Sequence, residues 1–130
     1  MKSDGAIKTD VYRYIKQSEF MKLVNGQLSK TKRPHNSHTE DVVISILANE
    51  GTQQQKAVVN VNIYIQDIDV GGQFEEKTMR VDEICEKAWN LLKKFSTDEY
   101  NAHATEQRVY ATDSGEHVIN NQVEYKLIND

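Results

Sequence analysis

The densest group of side chains that could do chemistry lies in a loop that holds the only proline of this chain. His35, His38, Glu40 and Asp41 lie close together there, and imidazoles and carboxylates are common metal ligands. The His-x-x-His spacing falls in a loop, however, and no second ligand pair of matching spacing follows it. We therefore expect a solvated loop that leads into a strand, with no metal ion and no cofactor.

Three further positions could serve catalysis. Cys85 lies within an apolar helical stripe, where a cysteine behaves as a small hydrophobe rather than as a nucleophile. Asp67 and Asp69 alternate at a strand exit, so both carboxylates could face one side and exchange protons, although such exits are more often plain loop. Gly71-Gly72 has neither the dinucleotide nor the phosphate-loop pattern. We expect no enzyme, and the alternative of a carboxylate or histidine site at 35–41 and 67–69 stays open.

Lys30, Lys32 and Arg33 form a compact cationic patch in the same loop. One interpretation is an exposed loop that only aids solubility. The other is a contact element that meets the acidic surface of a neighbouring subunit or the phosphates of passing DNA. The sequence leaves both open.

A strand over 57–66 alternates between apolar and polar residues almost without interruption. Its polar side carries Asn60, Asn62 and Tyr64. Such a face either meets water, as one side of an antiparallel sheet often does, or lines a wet protein interface.

The elements that must position these side chains follow from hydrophobic periodicity. We predict helices over 10–24 and 76–95, the first ending at Asn25-Gly26 in the left-handed conformation. We predict strands near 27–30, 41–48, 57–66, 107–112 and 116–128, with a hairpin turn at 49–52. The predicted fold is α+β, a mainly antiparallel sheet of four to five strands packed by two helices, in the order α-β-β-β-α-β-β. Residues 1–130 form a single domain, in which 1–9 are flexible.

Composition restricts the functional classes. A chain of 130 residues has room for one core. Its formal charge of −4 argues against a general nucleic-acid binder. A lone cysteine gives no disulfide framework, and we expect neither a signal peptide nor a membrane span.

Several short patterns, taken in order, resemble one family. Asp10-Val11-Tyr12-Arg13-Tyr14-Ile15 precedes Asn25-Gly26, and Lys32-Arg33-Pro34-His35-Asn36-Ser37 leads into Glu40-Asp41-Val42-Val43-Ile44. Val59-Asn60-Val61-Asn62-Ile63-Tyr64 then precedes a helix with Leu91-Leu92. Over residues 10 to 128 the chain resembles the tail-completion, or tail-terminator, proteins of long-tailed bacteriophages and prophages.

The resemblance implies structural work rather than catalysis. Such proteins are small α/β domains that form a ring, often a hexamer, and join the tail tube to the head connector. The implied partners are copies of the chain, the tail-tube protein and the head–tail connector proteins, with DNA passing non-specifically. The implied location is the bacterial cytoplasm during assembly, then the virion tail or neck. The alternative is a small binding or regulatory module that uses the basic loop 30–38. Candidate interaction residues are Lys30, Lys32, Arg33, Pro34, Asn36, Ser37, Asn60, Asn62 and Tyr64.

Overall fold

The structure is a computed structural model and describes residues 1–51 and 53–128. The helices in these residues are α1 (Asp4–Lys16), α2 (Phe20–Leu23) and α3 (Thr78–Leu92). The strands are β1 (Leu28–Lys30), β2 (Val42–Glu50), β3 (Lys56–Gln66), β4 (Ile68–Val70), β5 (Gln73–Glu75), β6 (Phe95–Ser96), β7 (Tyr100–Ala111) and β8 (Glu116–Leu127). The predicted α+β class is confirmed. The predicted hairpin turn at 49–52 includes Thr52, which lies outside the described residues.

The described strands form a six-stranded sheet in the order β1-β2-β3-β8-β7-β6, and a separate two-stranded hairpin of β4 and β5. β1 runs parallel to β2, while the other neighbours in the sheet are antiparallel. The prediction of four to five strands and of a single early helix was therefore too simple. β4, β5 and β6, which were not predicted, have only two or three residues each, too few for a hydrophobic alternation to appear. The equally short β1 was predicted, near 27–30.

β3 is the centre of the sheet, and its predicted alternation is confirmed. Ala57, Val59, Val61, Ile63 and Ile65 are all at most 1% exposed, whereas the residues between them are half-buried. The partner strands β2 and β8 place apolar residues opposite them, as in the pairs Ile44↔Val61 and Ile63↔Ile119. The helices cover this face and leave the polar face outward.

Helix α3 supplies the buried stripe that its sequence predicts. Val81, Ile84, Ala88 and Leu92 are buried, at the spacings of three and four residues that place side chains on one helix face. The helix is shorter than the predicted 76–95, because it ends at Leu92 before the strand β6 begins at Phe95.

Helix α1 begins six residues earlier than its predicted start at Asp10, at Asp4. Ser3 is the N-cap, and its hydroxyl accepts a hydrogen bond from the Ala6 N–H at 3.2 Å, as serine commonly does at this position. Ile7 is completely buried within the segment predicted to be flexible. The prediction of a flexible 1–9 is therefore corrected to a helix that contributes to the core.

The N-terminus is further held by charge. Lys2 Nζ lies 2.7 Å from Asp10 Oδ2 and 2.9 Å from Glu99 Oε2. Burial would lower the pKa of Lys2, but its hydrogen bonds to Asp10 and Glu99 outweigh that effect and raise the pKa. The Tyr125 hydroxyl donates to the same Asp10 oxygen, so α1 is joined to the last strand.

The predicted helix end at Asn25-Gly26 has a different physical basis. The helical chain already stops at Leu23, and neither Asn25 nor Gly26 has a positive φ. A Cβ added at Gly26 would lie 2.2 Å from the backbone carbon of Glu40. Gly26 is therefore required for a close backbone approach to the 40–41 strand entry, not for a left-handed cap.

Strand β7 starts seven residues before its predicted start at Gln107 and carries a bulge. Ala104 pairs with Val123 and Glu106 with Gln122, so Thr105 is the extra residue. The bulge reverses which side chains face inward. A single alternation therefore does not extend across the strand.

Candidate functional site

The loop from Thr31 to Asp41 is organised around the carboxylate of Asp41, which is completely buried. It accepts hydrogen bonds from Arg33 Nε, Ser37 Oγ and Thr39 Oγ1, and from the backbone N–H of Gln27. Burial would raise the pKa of Asp41, but these bonds, led by that from Arg33, outweigh burial and lower it. The carboxylate therefore acts as a structural anchor, and its lone pairs are occupied.

Arg33 joins this loop to the outer face of the sheet. Its guanidinium lies 2.7 Å from Asp41 Oδ2 and 2.6 Å from Glu116 Oε2, and it stacks over the Tyr64 ring at 4.2 Å. Burial would lower the pKa of Arg33, but the hydrogen bonds to Asp41 and Glu116 outweigh burial and raise it. Arg33 is thus engaged within its own chain. The same stacking covers Tyr64, another candidate interaction residue.

A second buried carboxylate closes the loop against helix α3. Glu40 accepts two hydrogen bonds from Arg80, and a third from the Asn25 N–H. Burial would raise the pKa of Glu40, but the hydrogen bonds from Arg80 and Asn25 outweigh burial and lower it. Glu40 and Asp41 are two of the four possible metal ligands in this loop, and both are paired with arginines.

His35 and His38 lie on the same loop, and both are exposed. Within residues 1–51 and 53–128, no group of three or more His, Cys, Asp or Glu side chains is arranged to hold a metal ion. Asn36 lies at the exposed end of the loop with a φ of 56°, a conformation that asparagine tolerates better than most residues. Pro34 and Ser37 form the turn beside it, through the Ser37 N–H and the Pro34 carbonyl.

The other two cations of the predicted patch, Lys30 and Lys32, lie on the same side of the molecule as two lysines of helix α1. Lys30 Nζ donates to Thr9 Oγ1 and lies 5.4 Å from the Tyr12 ring centroid, while Lys16 Nζ lies 5.6 Å from the same ring. Lys8 Nζ donates to Thr31 Oγ1 at 2.6 Å. We call this set the basic edge, and it consists of Lys8, Lys16, Lys30 and the exposed Lys32. Lys8 and Lys16 were missed in the sequence, although Lys8, Tyr12 and Lys16 recur every four residues on one helix face.

The polar face of the sheet carries a short row of amides. Asn120 on β8 donates from its Nδ2 to Asn60 Oδ1 at 3.2 Å and to Asn62 Oδ1 at 2.6 Å. All three side chains are half-buried. Asn60 and Asn62 are thus brought together as predicted, and the cross-strand partner Asn120 is added by the fold.

The two carboxylates predicted as a pair, Asp67 and Asp69, separate in the structure. Asp67 Oδ1 lies 2.6 Å from His117 Nδ1, whose other ring nitrogen lies 3.4 Å from Glu76 Oε2. Asp69 accepts instead from the Gly72 N–H within the β4–β5 turn. His117 was missed because β3 and β8 bring it beside Asp67 from far along the chain.

Cys85 is half-buried on helix α3, against the core. Burial raises the pKa of its thiol to about 11, and the nearby Asp82 and Glu76 carboxylates add to the shift. The thiol is therefore protonated at neutral pH, whereas the thiolate is the nucleophile.

Comparison with models of known protein families gives no match, and comparison with curated proteins finds no similar sequence. No helix of the described residues is both long enough and apolar enough to cross a membrane.

Proposed function

We propose that this chain is a structural assembly protein of the tail-completion (tail-terminator) type, which forms a ring at the head–tail junction of a bacteriophage or prophage. It is not an enzyme in this account and needs no cofactor. Its partners are other copies of itself, the tail-tube protein and the head–tail connector proteins. It works in the bacterial cytoplasm during assembly, and then in the virion neck.

The architecture supports the proposal. The resemblance of the sequence implies a small domain with helices and an antiparallel sheet. The α+β class and the mainly antiparallel sheet of the described residues agree with that expectation. An α+β fold hosts many functions, so this agreement supports the proposal without deciding it.

The observation that carries the proposal is a contrast in exposure. The carboxylates and the thiol that could do chemistry are at least partly buried and are paired or protonated, whereas apolar side chains of the β4–β5 hairpin are exposed. Asp41, Glu40 and Glu116 are buried and paired with arginines, and the thiol of Cys85 is protonated at neutral pH. The β4–β5 hairpin, in contrast, exposes Ile68, Val70 and Phe74 by 45%, 50% and 64%. Such a distribution suits a protein that acts through contacts with other proteins.

Charge is compatible with passage of DNA through a ring. The formal charge of −4 gives no general attraction for phosphates, so the DNA would slide past rather than bind tightly.

Binding to tail-tube ends tests the function. We expect the purified chain to co-sediment with tubes assembled from the tail-tube protein encoded beside its gene, and to cap their ends in electron micrographs. Failure to bind both the tube ends and the neighbouring connector proteins would contradict the proposal.

The basic edge favours one second candidate, a binding module for nucleic acid. That candidate predicts an affinity for DNA or RNA that falls with salt, and that falls further when Lys30 and Lys32 become alanine. We expect no measurable affinity at low salt, because the formal charge of the chain is −4 and Arg33, bound to Asp41 and Glu116, adds nothing to the four lysines of the basic edge. Salt-dependent binding that the two alanines abolish would favour the module over the ring.

A further inference from the structure

We infer that His117 is a pH-sensitive clamp on the β4–β5 hairpin. It holds the hairpin at both ends when its imidazole is protonated, and at one end when its imidazole is neutral. The inference goes beyond the proposed function, because it concerns how the hairpin is held, whatever the hairpin contacts.

His117 lies where the hairpin leaves and rejoins the rest of the fold. Asp67 is the residue between β3 and β4, and Glu76 follows β5 shortly before helix α3 begins at Thr78. The His117 Nδ1 lies 2.6 Å from Asp67 Oδ1, and its Nε2 lies 3.4 Å from Glu76 Oε2. One imidazole therefore contacts both ends of the segment that carries the hairpin.

The charge of the imidazole decides how many of these contacts are favourable. A neutral imidazole has a single N–H, which Nδ1 donates to the Asp67 carboxylate at the shorter distance. Its Nε2 then has a lone pair that faces the Glu76 carboxylate, and the two repel each other. Protonation adds a second N–H and a positive charge to the ring, so that Nε2 attracts Glu76. The Asp67 contact is thus favourable in both charge states, whereas the Glu76 contact requires the proton.

The neighbouring strands bring no competing charge to the inner face of the sheet at His117. Ile65 on β3 and Ala111 on β7 lie directly opposite it, and both are uncharged. Glu116, the preceding residue on β8, points to the other face, where it is paired with Arg33.

Helix α3 brings further acidic charge toward the clamp. Asp82 lies with Glu76 near the thiol of Cys85. Lys77, the residue after Glu76, lies near Glu40. Within residues 1–51 and 53–128, no lysine or arginine forms an ion pair with either carboxylate of the clamp. The imidazolium is therefore the cation that these two carboxylates share.

The clamp acts on a hairpin that is loosely tied to the fold. Among the described strands, β4 and β5 pair only with each other, and every residue of both is exposed. At its first end, the Asp67 N–H donates to the Gly115 carbonyl at 3.0 Å, and the Phe74 ring packs against Gly115. A lone two-stranded hairpin is marginally stable in water. Loss of the Glu76 contact should therefore increase the motion of the hairpin.

The expected pH range follows from the chemistry of histidine. Histidine ordinarily changes charge between about pH 5 and about pH 8, whereas carboxylates ordinarily stay ionised over that range. The imidazole is therefore the group that switches. We expect the hairpin to be held at both ends near the acidic limit, and to move more freely as the pH rises and the proton is lost.

A nitroxide label on the hairpin of the full chain tests the clamp. In a Cys85→Ala background, a label at Val70→Cys reports the motion of the hairpin by electron paramagnetic resonance. We expect the ratio of mobile to immobile label to rise about two- to fivefold between about pH 5.5 and about pH 8, the size that one partly exposed ion pair supplies. The rise should follow the titration of the His117 ring protons, measured by nuclear magnetic resonance.

Three variants separate the clamp from general effects of pH. His117→Gln keeps an amide that can donate to Asp67 but cannot gain a charge, and Glu76→Gln removes the carboxylate that the imidazolium attracts. Each should abolish the pH dependence of the label. His103→Gln changes an exposed histidine on β7 and should leave that pH dependence as it is in the labelled parent.

Two outcomes would overturn the inference. One is a label in the parent chain whose motion is the same at both pH values. The other is a pH dependence that persists in Glu76→Gln, a partly exposed position where the change should leave the fold intact. If His117→Gln does not fold, the Glu76→Gln comparison and the ring titration still decide between these outcomes and the clamp.

Discussion

Arg33 is the residue whose role differs most between sequence and structure. As one of three cations near a proline, it suggests a free contact for phosphate or protein. In the fold its guanidinium lies between Asp41 and Glu116, which are 0% and 4% exposed. The neighbouring Lys32 is left exposed, so the two residues offer a matched pair for mutation.

We expect Arg33→Ala to lower the free energy of unfolding by about 3–5 kcal/mol, because two buried carboxylates would lose their partner. Lys32→Ala should change it by no more than about 0.5 kcal/mol. Urea denaturation followed by circular dichroism measures both. Equal small effects would show that Arg33 is dispensable for the fold.

The paired carboxylates also predict a dependence on pH. Asp41 and Glu40 have ordinary pKa values of 3.8 and 4.5; burial would raise both, but their hydrogen bonds outweigh it and lower them in the fold. A lowered folded pKa stabilises the protein fully above the unfolded value, and the stabilisation is lost as the pH falls through the folded pKa. We expect the Tm to fall steeply below about pH 4.

Asp41→Asn supplies the control for this pH dependence. The variant should be less stable near neutral pH, and its Tm should fall less steeply in acid because one titrating group is gone. Parallel Tm curves for the two proteins between about pH 6 and about pH 3 would contradict the assignment.

The candidate site could be found from the sequence only in part. The loop and the row formed by Asn60, Asn62 and Tyr64 follow from residue type and alternation. The partners Glu116 and Asn120 come from β8, and no local pattern connects them to residues so far away in the chain. Arg33 therefore looks free until strand pairing is known.

At the scale of elements, helix α1 gives the clearest test. Ile7 is completely buried, although it lies in a segment that the sequence predicts to be flexible. We expect Ile7→Ala to cost about 2–5 kcal/mol of unfolding free energy, the usual range for a large core truncation. Met79, in contrast, is 88% exposed, and Met79→Ala should cost no more than about 0.5 kcal/mol. A small change in unfolding free energy for Ile7→Ala, in thermal or urea unfolding, would instead support the prediction that residues 1–9 are flexible.

Long elements with one strong periodicity were predictable, and short or interrupted ones were not. β3, β8 and α3 each have a regular stripe of apolar residues, because one face of each element packs against the core. α1 was placed too late because its first turn is Asp-Gly-Ala-Ile, which has only Ile7 as an apolar signal. The first half of β7 exposes its polar residues and buries only Tyr100, Ala102 and Ala104, and a bulge then reverses the alternation.

At the scale of the molecule, the chain separates a paired, buried interior from an exposed surface that we propose contacts other proteins. The arginine–carboxylate groups tie the loop, the sheet and helix α3 together. The β4–β5 hairpin and the basic edge lie outside these ion pairs. Variants of the contact surface should therefore leave the unfolding free energy nearly unchanged while they alter assembly.

Deleting the gene and imaging the particles tests the central claim most directly. The account predicts that induction of the phage or prophage that carries the deletion yields separate heads and tails in electron micrographs, and that a plasmid copy restores joined particles. Joined particles at the normal yield without the gene would contradict the account.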